Sequence, residues 1–537
     1  MKKKIILISI FILSFLLRIY FFGNNPPSLY WDEASLGYNA YSIATSLKDE
    51  HGEFLPLARF MAFGDYKPPG YIYAIVPFIW LGGLNEITTR LPSLQGGMGL
   101  VIFTYLVTRE ILGKKKIALL AAFVMGVSPW GIHFSRAAFE ANLAAFYNLV
   151  GIYCFLLFRR KKYFLLPSVI FFIFSFYTFN ANRIIAPLIL FVMSIIYLKE
   201  IWSNKKWVLI SSIIGLIMIL PSLSYLQSKE SKFRLQEVSI LNNLDLIKTS
   251  NQFQNDDNNS IVSKLLDNRR VFYFREFLKH YTDNFDFRFL FAYGDVNPRL
   301  AVQSMGQLYF IELPFLILGV YFLIKNRKKE SLVLFSWMLI AVIPAGVAKE
   351  TPHALRIISI LPTYQLITAY GLYHFLSWLK ITINNKKLIA VFTVFCLMFI
   401  GNIFYYLHSY YIHFPVNSSG DWQFGYKEMV QYVLENEDKY DQIYVTSSLG
   451  RPYIYFAFYK PFSQKNFSKE RIARHDQFGF WDVENLGKIK FDLREINNAS
   501  GKILVVSNDS SIPSGYQLIK SIKNLKGENV FNLSEKI

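Results

Sequence analysis

The stretch Trp31-Asp32-Glu33-Ala34-Ser35-Leu36-Gly37-Tyr38-Asn39-Ala40-Tyr41-Ser42-Ile43 (WDEASLGYNAYSI) sets two adjacent carboxylates just beyond the first membrane-length apolar run. Leu36, Ala40, Ile43 and Leu47 recur at spacings of four, three and four. That spacing predicts an amphipathic helix lying in the membrane interface rather than a span. Asp32 and Glu33 then sit at its N-terminus. Acids there complement the helix dipole and cap free N–H groups, and they equally suit chemistry at a membrane face. The rest of the chain has to decide between the two.

Around this stretch the composition is that of a polytopic membrane protein: 537 residues, 53% hydrophobic and 17% aromatic, with 50 Phe and 34 Tyr. The formal net charge is +19, but the basic residues fall in short clusters between apolar runs. The positive-inside rule expects them there, which argues against a nucleic-acid partner. Cys154 and Cys396 both lie inside apolar runs without CxxC spacing or a nearby His, so neither a disulfide framework nor a zinc site is indicated.

In chain order, Lys2 to Lys4 precede an apolar run over 5–22 that has no small-residue cleavage site after it. It reads as a retained first helix with its N-terminus in the cytoplasm. The run 71–84 has 14 residues and contains Pro77. About 20 are needed to cross the hydrocarbon core, so this piece is expected to dip into the membrane without spanning it. Spans are expected near 88–112, 117–134, 138–158, 163–179, 184–198, 207–226, 307–324, 331–347, 357–379 and 388–408. With that assignment the clusters at 114–116, 159–162, 199–206, 325–329 and 380–387 all fall on the cytoplasmic side. The expectation is a polytopic α-helical membrane protein of about eleven transmembrane helices in the cell membrane, C-terminus outside. Residues 1–408 form its membrane domain, with an external loop at 23–87 and a long one at 227–306. Residues 409–537 alternate helix-like and strand-like pieces, among them QIYVTSS and KILVVSN, and predict a small external α/β domain for substrate recognition or packing. No internal repeat is evident, which weighs against an inverted-repeat transporter or lipid flippase.

With sides assigned, unusual polar residues collect on the non-cytoplasmic face: Asp32, Glu33, Asp65 and Lys67; Arg136 and Glu140; Asn180, Asn182 and Arg183; Asp295 and Arg299; His353 and Arg356. Charges near membrane ends are costly, so they mark sites or snorkel. Gathered on one face, they suit a sugar linked through phosphate to a polyprenyl chain. Such a donor needs a greasy groove, cations for the leaving phosphate, and a base for the attacking hydroxyl. Lys67, Arg136, Arg183, Arg299, His353 and Arg356 are the candidate phosphate contacts. Asn180 and Asn182 either bind sugar hydroxyls or end a helix. Two adjacent helix residues point about 100° apart, so one of Asp32 and Glu33 is expected to be the base and the other to support it. The partners are thus the polyprenyl-phosphate sugar, membrane lipid and an acceptor that is protein, lipid or glycan.

WDEASLGYNAYSI, KPPGYIY, TRLPS, SPWGIHFSRAAFEAN and PHALRIISILP together resemble the GT-C superfamily of polyprenyl-phosphate-sugar glycosyltransferases. The likeness is to glycosyltransferase family 39, the dolichyl-phosphate-mannose protein mannosyltransferase-like and aminoarabinose-transferase-like branch. It covers about the first 200 residues well, 275–379 less firmly, and not the C-terminal domain. The resemblance implies that the acid after the first helix is catalytic, favouring Asp32 as base, and that Lys67 contacts the donor phosphate. Some relatives carry an acid directly before that Lys, whereas this chain has Tyr66 there and Asp65 one place earlier. A divalent metal built on that acid stays an open expectation. A surface-glycan polymerase or ligase using a polyprenyl-diphosphate donor is the alternative.

Overall fold

A computed structural model describes residues 2–63, 65–228, 231, 238–475, 481–508 and 514–536. The side chain of Asp65 lies outside the described residues. The chain forms two compact units.

The helix unit comprises Met1–Leu17, Gly96–Ser135 and Glu140–Tyr406. Helices lie under each apolar run, but among the described residues five are long and apolar enough to cross a membrane: Glu86–Leu112, Glu140–Phe158, Lys205–Gln227, Lys329–Val347 and Asn385–Asn417. Shorter apolar helices, Gly70–Gly82, Lys162–Thr178 and Asn182–Ile196, accompany these five, and two of the expected runs are interrupted. The run expected at 117–134 is broken at Ser128, whose Oγ accepts from the Gly131 N–H at 3.3 Å and caps a new helix, Pro129–Phe134. Pro362 likewise divides the run at 357–379 into a short 3-10 turn, Ile358–Ile360, and the helix Thr363–Thr382. Proline cannot donate within a helix, and the residue before it avoids the helical region. The piece Gly70–Gly82 is one of the shorter apolar helices.

Where these helices meet, small and hydroxyl residues let the backbones approach, as packing without a hydrophobic driving force requires. Ser168 Oγ donates to the Gly151 carbonyl and Ser175 Oγ to that of Ala144, both at 2.8 Å, tying Leu165–Thr178 to Glu140–Phe158. A Cβ on Gly371 would run into the Phe315 carbonyl, so Leu313–Asn326 and Thr363–Thr382 lie in direct backbone contact.

The second unit comprises Arg18–Gln95, Arg136–Phe139 and Leu407–Ile537. It holds the helix Trp31–Ser46, the hairpin β1 (Phe60–Ala62) and β2 (Asp65–Lys67), and a seven-stranded sheet. The sheet strands are β3 (Gln442–Val445), β4 (Arg471–His475), β5 (Trp481–Leu486), β6 (Ile489–Lys490), β7 (Ile503–Ser507), β8 (Tyr516–Lys523) and β9 (Asn529–Lys536). Their order is β4-β5-β6-β3-β7-β9-β8, parallel only where β3 meets β6 and β7. One core joins Leu29, Ala34, Tyr38 and Phe63 to Met429, Val433, Ile454, Phe456, Val506 and Phe531.

That core corrects the reading of Trp31–Ser46 as an interfacial helix. Residues 33–40 are all buried. Leu36, Ala40 and Ile43 form the apolar stripe the spacing predicts, but the opposite side is covered too, by Phe458 and Phe467. Gly37 makes this possible: a Cβ there would stand 2.7 Å from both the Phe458 ring and Thr89 Oγ1. The second covering layer arrives from more than four hundred residues downstream, beyond the reach of local periodicity.

Candidate active site

Within the second unit the two acids of WDE face different surroundings. Asp32 is on the open side of the helix start, its side chain 38% exposed, with Oδ1 2.9 Å from Lys67 Nζ. Lys67 gets there because β1 and β2 pair antiparallel, Phe60 opposite Lys67, just before Pro68 and Pro69 turn the chain into Gly70–Gly82. Glu33 is buried and spoken for. It takes a bidentate ion pair from Arg90, Nε to Oε1 and Nη2 to Oε2, each 2.9 Å. Its Oε1 also accepts the Ala138 N–H at 2.7 Å, and Oε2 the Tyr30 N–H at 3.1 Å, closing the helix start. Arg90 spends its remaining donors on the carbonyls of Pro26 and Ser28, at 3.3 and 2.6 Å. Arg90 was missed in the sequence reading. The available signal was an arginine in the first turns of a membrane-length helix, TRLPS, where a charge needs a partner.

Arg136 is fully buried in the same unit, and its guanidinium is turned to backbone. Nη1 donates to the Arg18 carbonyl at 2.6 Å and Nη2 to that of Asn25 at 3.1 Å, with the rings of Tyr410 and Tyr411 at 5.5 and 5.1 Å. It fixes the loop that leads into the acidic helix, and with Ala138 it brings the 136–139 link against that loop.

The helix unit holds the other candidates. Asp295 accepts the N–H groups of Asn297 and Ala354 at 2.8 and 2.6 Å, which fold two loops together. Burial nevertheless pushes its carboxyl up to about 6. His353 is buried beside them, and burial, then the charges of Arg356 and Arg299, push its imidazole down to about 3, so it is neutral at pH 7. Arg356 donates to the Glu350 carbonyl at 2.8 Å, and the Arg299 carbonyl meets His133 Nε2 at 2.7 Å. Arg183 lies over the rings of Phe176 and Tyr225, with buried Nε and Nη2 that find no hydrogen-bond partner among the described residues. Asn182 is a structural tie: its amide donates to Ser175 Oγ at 2.6 Å and accepts from Ser359 Oγ at 3.0 Å. Asn180 is half-buried beside it. Thus Asp32, Glu33, Lys67 and Arg136 belong to one unit, and Asn180, Asn182, Arg183, Arg299, His353 and Arg356 to the other.

Among the described residues no group of three or more His, Cys, Asp or Glu is arranged to hold a metal ion. The donor set around Asp32 is cationic, with Lys67 occupying the position beside the carboxylate.

The family model of dolichyl-phosphate-mannose-protein mannosyltransferase matches residues 8–235, the segment that carries Asp32, Glu33, Lys67, Arg90 and Arg136. No curated protein matches the sequence. The fold is similar to that of ArnT from Cupriavidus metallidurans, with a TM-score of 0.56 in its apo state, 10% identity, and coverage of 99% of this chain and 97% of that one. The same protein bound to undecaprenyl phosphate gives a TM-score of 0.52, at 11% identity over 100% and 97%. The Archaeoglobus fulgidus oligosaccharyltransferase, in a complex with zinc and sulfate, gives 0.53, at 15% identity over 84% of this chain. This chain spans 61% of the length of that protein. The N-terminal segment thus matches the model of dolichyl-phosphate-mannose-protein mannosyltransferase, and the chain shares its fold with ArnT along nearly the full length of both proteins.

Proposed function

We propose that the protein transfers a sugar from a polyprenyl-monophosphate donor to an acceptor hydroxyl at the non-cytoplasmic face of the membrane, with Asp32 as general base and Lys67 as the cation of the leaving phosphate. The observation that carries the reading is the division within the acidic pair. Glu33 has both oxygens engaged by Arg90 and backbone N–H groups, whereas Asp32 is half-exposed with a lysine alongside. A base must reach the proton it removes, and only Asp32 is open to one.

In the proposed step the acceptor oxygen forms its bond to the sugar C1 as the C1–O bond to phosphate breaks. The hydroxyl proton passes to Asp32, and the electron pair leaves with the phosphate. Lys67, drawn from Asp32 by the donor's phosphodiester monoanion, stabilises the second negative charge that develops on the departing polyprenyl phosphate. With Asp32 as the base and Glu33 engaged by Arg90, a single displacement with inversion at C1 is expected. Glu33, Arg90 and Arg136 position the loop and take no part in proton transfer. In the helix unit, Arg183, Arg299, His353 and Arg356 are proposed as contacts to the anionic donor, and Asn180 to its sugar. Their individual weights are read from donor affinity in single variants. The cytoplasmic N-terminus and the external 409–537 domain belong to the same proposal, supported by the one-sided basic clusters.

The test is incubation of the purified protein in nanodiscs with a panel of polyprenyl-monophosphate sugars, following release of free polyprenyl phosphate. Release that disappears in Asp32→Asn is the expected result. Consumption of a diphosphate-linked donor with none of the monophosphates would overturn the reading in favour of a polymerase or ligase.

A further inference from the structure

The short helix Ile261–Leu266 is built inside out. Ile261, Val262, Leu265 and Leu266 are 79%, 61%, 66% and 60% exposed, while its inward side chain is the polar Ser263, 1% exposed. Ser263 is satisfied locally, its N–H reaching Ser260 Oγ and its hydroxyl the Ser260 carbonyl, both at 3.1 Å. Among the described residues no neighbour covers the aliphatic side. A six-residue helix has little stability of its own, so four aliphatic side chains held outward need an apolar environment beyond the protein.

The following helix, Arg269–Asp283, also holds apolar side chains outward. Phe274 and Leu278, four residues apart, are 60% and 42% exposed. Around this ridge the exposed cations are Lys264, Arg269, Arg270, Arg275 and Lys279, and the exposed acids Asp256 and Asp257 lie just before its first residue. Of the acids here, Glu276 is paired with His280 at 2.9 Å and with Lys279 at 3.7 Å, and Asp267 is half-buried. The inner face is fastened: Phe272 packs edge-on against Phe253 at 5.6 Å, and His280 Nδ1 meets the Ala348 carbonyl at 2.7 Å. The outward face therefore keeps a fixed direction.

We propose that residues 261–279 form a foot on the bilayer surface. Its aliphatic ridge enters the headgroup and acyl boundary, and its five cations meet anionic lipid headgroups. Aliphatic and aromatic side chains with interleaved Lys and Arg are the composition of an interfacial helix, and the charge complements an anionic leaflet. The unit that carries the foot also carries helices long enough to cross that bilayer, so the surface required is already at hand. The inference does not rest on the catalytic proposal.

The test uses the full-length protein in a Cys154→Ser, Cys396→Ser background, with single cysteines at Leu265 or Val262 carrying an environment-sensitive NBD label. The protein is reconstituted in nanodiscs of phosphatidylglycerol and phosphatidylcholine. A blue-shifted label, quenched by nitroxide-bearing lipid and shielded from aqueous iodide, is expected, while a label at Lys248 stays open to iodide. Arg269→Glu with Arg270→Glu should reduce lipid-phase quenching, and more so in phosphatidylglycerol. A Leu265 label as open to iodide as the one at Lys248 overturns the proposal. Protection from both quenchers also overturns it, because it assigns the ridge to a protein partner such as a second copy. Quenching unaffected by the charge reversal removes the anionic headgroups from it.

Discussion

Glu33→Gln and Asp32→Asn change neighbouring residues by the same chemistry and should give opposite signatures. Glu33 supplies the countercharge for a fully buried guanidinium and accepts two backbone N–H groups as well. Glutamine keeps one acceptor oxygen but turns an NH2 toward a donor and removes the carboxylate charge that faces the buried Arg90 guanidinium. Breaking one partner of a buried pair costs about 3–5 kcal/mol. For a unit of this size that lowers the thermal midpoint on the order of 10 °C. The Asp32–Lys67 pair is partly exposed and screened, worth about 0–1 kcal/mol, so Asp32→Asn should unfold close to wild type. Its turnover should fall about 10²- to 10⁴-fold, the scale of lost general-base catalysis. Intrinsic tryptophan fluorescence on heating in detergent reads the first quantity, and polyprenyl phosphate release below both midpoints reads the second. Replacing both Glu33 and Arg90 with Met should destabilise less than Glu33→Gln alone, because no charge is then left buried without a partner. Should Glu33→Gln melt with wild type and lose turnover while Asp32→Asn stays active, the roles are exchanged and the reasoning from saturation of the carboxylate is wrong.

Lys67→Ala should weaken donor binding by about 1.5–3 kcal/mol, with Lys67→Arg keeping part of it, as a charge-assisted phosphate contact requires. Unchanged donor affinity would make Lys67 only a partner for Asp32. The second unit should show a pH signature of its own. Burial raises the Glu50 carboxyl to about 7 and lowers the His51 imidazole to about 3. Glu50 loses stability as pH rises from its unfolded value near 4.5 through 7, by roughly 3 kcal/mol in all, and His51 loses it as pH falls from 6.5 toward 3. Between about 4.5 and 6.5 the two slopes cancel, so a plateau with decline on both sides is expected, and Glu50→Gln should abolish the alkaline decline. A midpoint that keeps rising from pH 6.5 to 8 in the wild type would contradict this. Gly450→Ala should destabilise the same unit, since Gly450 has φ +132° and a Cβ there would meet the Trp31 ring. Wild-type thermal behaviour in that variant would mean that the loop can lift off Trp31 freely.

Much of this protein is written locally. Apolar runs punctuated by basic clusters mark a membrane protein whatever its tertiary packing, because bilayer thickness and charge placement act on segments. WDE after the first helix and the KPP motif mark the acidic pair and Lys67 as candidates from the sequence, through their residue types and the family resemblance. Arg90 was hidden because its role depends on Glu33, fifty-seven positions earlier, and an arginine in TRLPS reads as interfacial until its partner is known. Arg136 and Asn182 have the right residue types at membrane ends, but the groups they hydrogen-bond to are supplied by distant backbone and side chains, and spacing does not encode those. The burial of Trp31–Ser46 was decided by tertiary structure alone. A period of 3.6 reveals one apolar stripe, whereas the second face is made dry by Gly37 and by aromatic residues of the C-terminal segment. Which of two adjacent carboxylates stays partly exposed follows from that burial, because enclosing one side of the helix saturates Glu33 and leaves Asp32 at the surface beside Lys67.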